Sequence, residues 1–220
     1  MHRECFPDYG WKVLKSIKDI FSTYDARLAG GTALALQIGH RISRDLDFFT
    51  LNKFRIESVI SQIRKTGQPF TVITETEGTL IMEVGGIRLS LFRYEYNFIE
   101  KPVRIQGIQL AGVIDIASMK VIAINQRGSK RDFVDLYFVL QEIPFHKIAE
   151  NMVKRFGAER INPVHIGKSL VYFSDADTNP EPAYIKGREV QWEHIRGFFR
   201  NHVRQFVLDL DAAVNSGGSP

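Results

Sequence analysis

The apolar positions alternate several times between helical and strand period along the chain before settling to helical spacing after Val113. Trp11, Leu14, Ile17 and Phe21 recur at helical spacing, which predicts a helix over 11–24. Arg27-Leu28-Ala29 reads as the opening of a short strand. Gly30-Gly31 breaks it, Thr32 stands where a helix N-cap belongs, and 33–38 reads as a helix stopped by Gly39. Over 45–50 (DLDFFT) the period becomes two, and over 55–65 it returns to that of an amphipathic helix. Strands are expected over 70–74, 80–84 and 87–92, the last two joined by Gly85-Gly86 in a two-residue turn that needs positive φ. A further strand piece over 103–110 turns tightly at Gly107. After Val113 the pattern becomes helical, over 115–125, 130–140, 146–156, 165–173 and 191–214. The expected class is therefore α+β (α/β): a mixed β-sheet with flanking helices, followed by a mostly helical C-terminal part. This divides the chain into a core over 1–112, a helical subdomain over 113–214 and a flexible tail over 215–220, the segment Asn215-Ser216-Gly217-Gly218-Ser219-Pro220.

Composition narrows the class without naming a function. With 220 residues, 44% of them hydrophobic and 25% charged, the chain has the balance of an ordinary soluble protein with one core and a second subdomain. A formal charge of +4 permits a nucleic-acid partner without demanding one. Cys5 is the sole cysteine, which excludes an intrachain disulfide and a cysteine-built zinc site. The first fifteen residues hold no apolar run, and nothing approaches the roughly 20 apolar residues of a membrane span. A cytoplasmic protein with no membrane association is the expectation.

Candidate chemistry concentrates in two clusters. The first is Leu28-Ala29-Gly30-Gly31-Thr32 followed by His40-Arg41-x-Ser43-x-Asp45-Leu46-Asp47-Phe48-Phe49. Two glycines between a strand and a helix let backbone N–H groups approach an anion, and the helix N-terminus adds partial positive charge. Alone, Gly-Gly also marks any tight turn. Asp45 and Asp47, two apart on a strand, point to one face with Cα atoms about 6.5–7 Å apart. Two carboxylates there repel unless a cation lies between them, and Mg²⁺ is the usual answer where phosphates are handled. The competing reading is a solvated edge strand with Asp45 paired to Arg41 or Arg44. Phe48 and Phe49 argue for burial instead.

The second cluster is Asp115-Ile116-x-x-Met119-Lys120-x-x-Ala123, then Arg127-Gly128-x-x-Arg131-Asp132-Phe133-x-Asp135-Leu136-Tyr137. Asp115 is placed to cap a helix. Lys120 sits at the edge of a buried face, either reaching phosphate as a point charge or lying exposed. Asp132 and Asp135 share a helix face, and Arg127, Arg131 and Asp135 are spaced by four, as helix ion pairs are. Asp175-x-Asp177 lies in a polar, proline-flanked segment where acids are usually solvated.

Together, GGTALAL with HRxSxDLDFF and the downstream DIAxMKxxAI with RGxxRDFxDLY resemble the AbiEii/AbiGii nucleotidyltransferase toxin family (DUF1814-like), whose members occur in toxin–antitoxin and phage-defence loci. The resemblance is strong over 26–140 and fainter through Tyr172-Phe173-x-Asp175-Ala176 and Trp192. It implies that Gly30, Gly31 and Thr32 hold the triphosphate of a bound nucleoside triphosphate, and that Asp45 and Asp47 bind Mg²⁺ (or Mn²⁺). It also implies that Lys120 contacts the nucleotide phosphates, that Asp132 is needed for activity, either orienting Lys120 or acting as a base, and that Arg41 and Ser43 support the DxD strand. The acceptor it implies is an RNA such as the 3′ end of tRNA, and the partner a cognate antitoxin. One departure stands out. The third carboxylate that nucleotidyltransferases usually place on a neighbouring strand is replaced, in Ile87-Arg88-Leu89-Ser90-Leu91-Phe92, by Ser90. Glu83 lies diagonally across the hairpin but is expected to pair with Arg88. Beside the transferase reading stand a non-catalytic nucleotide-binding module acting through RNA or protein contact and a metal nuclease, which would leave the glycine cradle without a task.

Overall fold

A computed structural model describes residues 1–217, so Gly218, Ser219 and Pro220 of the expected tail lie outside the described residues. The chain forms two compact units: Met1–Asn97 with Lys101–Gly112, and Phe98–Glu100 with the chain from Val113 onward.

The first unit holds helices α1 (Asp8–Thr23), α2 (Gly30–Ile38) and α3 (Ile56–Lys65) and strands β1 (Arg27–Ala29), β2 (Leu46–Thr50), β3 (Phe70–Thr76), β4 (Thr79–Val84), β5 (Ile87–Arg93), β6 (Val103–Ile105) and β7 (Ile108–Leu110). They build one seven-stranded sheet in the order β3-β4-β5-β2-β1-β7-β6. Two pairings, β2 with β5 and β1 with β7, are parallel, and the rest are antiparallel. The mixed sheet is the one expected. Its hairpin turns sit where the glycines predict, with φ of 55° and 78° at Gly85 and Gly86 and 50° and 86° at Gln106 and Gly107.

Strand alternation gives this sheet two unlike faces. Leu28, Leu46, Phe48, Leu80, Met82, Leu89 and Leu91 are fully buried on one. Helix α1 presses onto that face, its Phe21 ring stacked on Phe48 at 4.0 Å, and α3 packs beside α1. The opposite face carries Ala29, Asp47, Phe49, Ser90 and Phe92, and is where polar chemistry can meet solvent.

The second unit is helical: α4 (Val113–Arg127), α5 (Lys130–Leu140), α6 (Phe145–Phe156), α7 (Pro163–Leu170), α8 (Ser174–Asp177) and α9 (Trp192–Gly217). Buried Ile195, Phe199, Phe206, Leu210 and Ala213 line one stripe of α9, which packs on α6 and α7. A Cβ on Gly167 would lie 2.4 Å from Val207 Cγ2, so the bare backbone there sets the close approach of α7 to α9. The expected tail starts too early, since 215–217 still belong to α9. The polar segment that holds Asp175 and Asp177 begins as a helical turn over Ser174–Asp177, and Asp177 accepts a hydrogen bond from Trp192 Nε1 at 2.7 Å. That gives the second DxD a structural partner.

Asp115 is not a cap. It lies inside α4, fully buried, and its carboxylate accepts from the N–H groups of Ile99 (3.1 Å) and Glu100 (2.9 Å) and from Asn151 Nδ2 (2.9 Å). The helix start is capped instead by Glu100, whose carboxylate accepts from Ile114 N and Asp115 N at 2.7 and 3.1 Å. A cap supplied from thirteen residues upstream leaves no local sequence signal.

Candidate nucleotide site

In the first unit the site is built where β1 runs into α2. Gly30 has φ of +69°, a conformation that favours glycine. A Cβ there would also lie 3.0 Å from Asp47 Oδ2, so an absent side chain lets the helix begin directly against that carboxylate. At Gly31 the neighbour is Arg41. A Cβ would stand 2.2 Å from Arg41 Nη2, so this nearly buried guanidinium occupies the space that a side chain would take. Helix N-terminus and guanidinium thus concentrate positive potential at one point, beside backbone N–H groups that have no acceptor within the helix. That combination favours an anion such as phosphate.

Thr32 departs from its expected role. The helix already begins at Gly30, its N-cap is Ala29, and no side chain caps it. Thr32 is buried. Its hydroxyl hydrogen-bonds to the Asp45 carbonyl oxygen and lies 2.8 Å from Ser43 Oγ. Ser43 N in turn donates to Cys5 O at 2.8 Å. Thr32 and Ser43 therefore hold the backbone of Asp45 in place. Replacing Thr32 by valine keeps the shape but leaves the Asp45 carbonyl unsatisfied, at an expected cost of about 1–3 kcal/mol in denaturant unfolding. Thr32→Ser is expected to keep most of that stability. Equal stabilities for the two variants would show that the hydrogen bond contributes nothing.

Asp47 lies on β2 and Asp45 one residue before it, both half-buried, while Leu46 and Phe48 turn into the core. Ala29, Asp47 and Ser90 are direct cross-strand neighbours, so Ser90, itself buried, occupies the place beside Asp47 on the adjacent strand. Glu83 is in register with Arg88. Among the described residues no group of three or more metal-ligating side chains occurs. Asp47, Asp45 two residues before it and Ser90 across from it offer two carboxylates and a hydroxyl, all oxygen donors. That set fits a hard cation held by two carboxylates and completed by phosphate and water, as Mg²⁺ is when it binds with a nucleotide.

In the second unit the expected residues form a buried ion cluster. Lys120 Nζ on α4 lies 2.7 Å from Asp132 Oδ1 and 2.6 Å from Asp135 Oδ2 on α5. Asp132 also accepts from Ser129 Oγ at 2.7 Å and pairs with Arg127 Nε at 3.3 Å. Both acids and the lysine are buried, so Lys120 is not an exposed helix lysine. Burial pushes the Asp132 carboxyl up, but the Lys120 and Arg127 charges, with hydrogen bonds from Lys120 and Ser129, more than offset it and hold it below its usual range. A carboxylate so held is a poor proton acceptor and a good anchor for the ammonium. The shared helix face of Asp132 and Asp135 was expected from their spacing, but that both acids hold Lys120, and that Ser129 bonds to Asp132, was not.

Comparisons with known proteins bear on the family and the fold. The family of the nucleotidyl transferase AbiEii toxin, of the type IV toxin–antitoxin system, matches residues 12–106. An uncharacterized protein of Aquifex aeolicus is 38% identical over 201 residues, covering 89% of this chain and 95% of its own. Among solved structures, JHP933 from Helicobacter pylori superposes with a TM-score of 0.56 at 15% identity, covering 96% of this chain and 97% of its own. MenT4, a nucleotidyltransferase toxin of Mycobacterium tuberculosis, gives 0.50 at 13% identity, covering 97% and 96%. These two likenesses carry the fold, and the sequence match carries the family. Over residues 12–106 the chain belongs to the AbiEii nucleotidyl transferase toxin family.

Proposed function

We propose that the protein binds a nucleoside triphosphate with Mg²⁺ (or Mn²⁺) and transfers a nucleotidyl group to a hydroxyl of an RNA acceptor, such as the 3′ end of tRNA, as the toxin partner of a cognate antitoxin. The observation that carries this reading is the meeting of a bare helix N-terminus, the Arg41 guanidinium and the Asp47 carboxylate at Gly30-Gly31, with Asp45 just before the strand that bears Asp47. In the reaction the acceptor oxygen forms a bond to the α-phosphorus, the bond from that phosphorus to the bridging oxygen breaks, and pyrophosphate leaves. The hydroxyl proton passes to water, because Ser90 stands where a carboxylate would take it. Gly30, Gly31 and Arg41 hold the phosphates, while Thr32 and Ser43 keep Asp45 in position. Asp45 and Asp47 would hold the metal, which when bound screens phosphate charge. Lys120 and Asp132, which lie in the helical unit, enter this reading on the family resemblance alone.

The test is incubation of the protein with total tRNA, Mg²⁺ and each labelled nucleoside triphosphate in turn, with Asp45→Asn as control. Label on RNA with the wild type and none with the variant is the expected outcome. Metal-dependent nucleotide binding without any transfer would instead favour a nucleotide-binding module, the reading that Ser90 supports.

A further inference from the structure

The sheet face that carries Asp47 and Ser90 also carries an aromatic row, two residues further along both strands. Phe49 follows Asp47, Phe92 follows Ser90, and the register sets the two rings side by side with centroids 5.2 Å apart. Tyr94 continues the row 5.3 Å from Phe49, and Tyr96 lies 5.2 Å from Tyr94. All four are half-buried, whereas Phe48 and Leu91, their neighbours on the other face, are fully buried. Across β1, β7 and β6 the same register continues the row through Arg27, Gln109 and Arg104. Partly accessible rings bordered by cations and an amide are the combination that holds single-stranded nucleic acid by stacking and backbone charge.

We propose that this row is the dock for the terminal nucleobase of the RNA acceptor, an inference that rests on the transfer reading above. The order of groups along the strands decides which base it takes. β1 and β2 are antiparallel, so the end of β1 that feeds α2 lies at the start of β2, on the Asp45 side of Asp47. The aromatic row lies on the other side of Asp47. In an in-line displacement the attacking and leaving oxygens stand on opposite sides of the phosphorus. With the leaving phosphates at the N-terminus of α2, the attacking hydroxyl arrives from the aromatic side, and the base attached to it meets Phe49, Phe92 and Tyr94.

The experiment measures two affinities on Phe49→Leu, Tyr94→Ala and the conservative Tyr94→Phe. One is the anisotropy of a labelled single-stranded RNA oligonucleotide in EDTA, and the other is binding of a fluorescent nucleoside triphosphate with Mg²⁺. Thermal melting of each variant establishes that it folds. Loss of a stacked ring is expected to weaken RNA binding about tenfold, with nucleotide binding unchanged and Tyr94→Phe equal to the wild type. Weakened nucleotide binding with RNA binding intact would overturn the proposal in favour of the base of the triphosphate. No change in either would make the row ordinary packing. If the wild type labels tRNA while Phe49→Leu and Tyr94→Ala keep its KM for RNA, the dock is wrong and the transfer reading survives. A wild type that neither binds nor labels RNA overturns both.

Discussion

Lys120→Met is expected to destabilise the helical unit by about 3–5 kcal/mol, the cost of leaving buried charge without its partner. Lys120 is the shared counter-ion of Asp132 and Asp135, whose side chains are 2% and 0% exposed. Methionine matches the lysine stem in length and fills its channel, so the loss comes from charge and not from a cavity. What remains near Asp132 is Ser129 and the largely exposed Arg127, a weak replacement for a buried ammonium. Urea unfolding of the wild type and the variant at neutral pH gives the difference. A loss under about 1 kcal/mol, the value of a solvated surface pair, would show that water reaches the cluster.

The same cluster predicts opposite pH responses in the two proteins. In the wild type the Asp132 carboxyl is held below its ordinary value of 3.8. An acid with a depressed folded pKa contributes stability above its unfolded pKa and loses it as pH falls through the folded one. The wild type should therefore keep this contribution down to about pH 4 and lose it below. In Lys120→Met, burial dominates and raises the folded pKa of Asp132. Acidification from pH 7 to 5 should then narrow the gap between the proteins. A gap that stays constant over that range would rule out charge as the source of the destabilisation.

Asp45→Asn is expected to lower transfer of label to RNA about a thousandfold or more, the scale of several kcal/mol of metal-dependent stabilisation at 1.36 kcal/mol per tenfold. Asparagine keeps the size of the side chain and removes the negative charge. The backbone of Asp45 stays pinned by Thr32, so the fold should be unaffected. Nucleotide affinity measured in EDTA should be nearly unchanged, because the cradle at Gly30, Gly31 and Arg41 is intact. The Mg²⁺-dependent gain in affinity should largely disappear. Full transfer activity in this variant would remove Asp45 from the metal set and leave Asp47 alone to be tested.

The order of elements was legible along the chain because short-range physics writes it there. Period-two and helical spacing separate the sheet unit from the helical unit, and Gly85-Gly86 and Gly107 sit at turns that demand positive φ. The Gly30-Gly31 pair and the Asp45, Asp47 alternation were equally local, so the first could be placed at a strand-to-helix junction and the second on one face of a strand. Tertiary structure decided what these groups touch. Thr32 looked like a cap, but Asp45 comes thirteen positions later and folds back onto its hydroxyl. Asp115 also looked like a cap, and is instead buried against the N–H groups of Ile99 and Glu100. Arg41 fills the space above Gly31, which no spacing rule foretells. Lys120 meets Asp132 and Asp135 only because α4 and α5 pack face to face, which turned expected surface ion pairs into a buried cluster. The aromatic row exists only through the register of β2 with β5. Backbone preference and periodicity act over a few residues and are readable from them. Burial, register and the partner of each charge depend on segments far apart in the chain, and the fold alone brings them together.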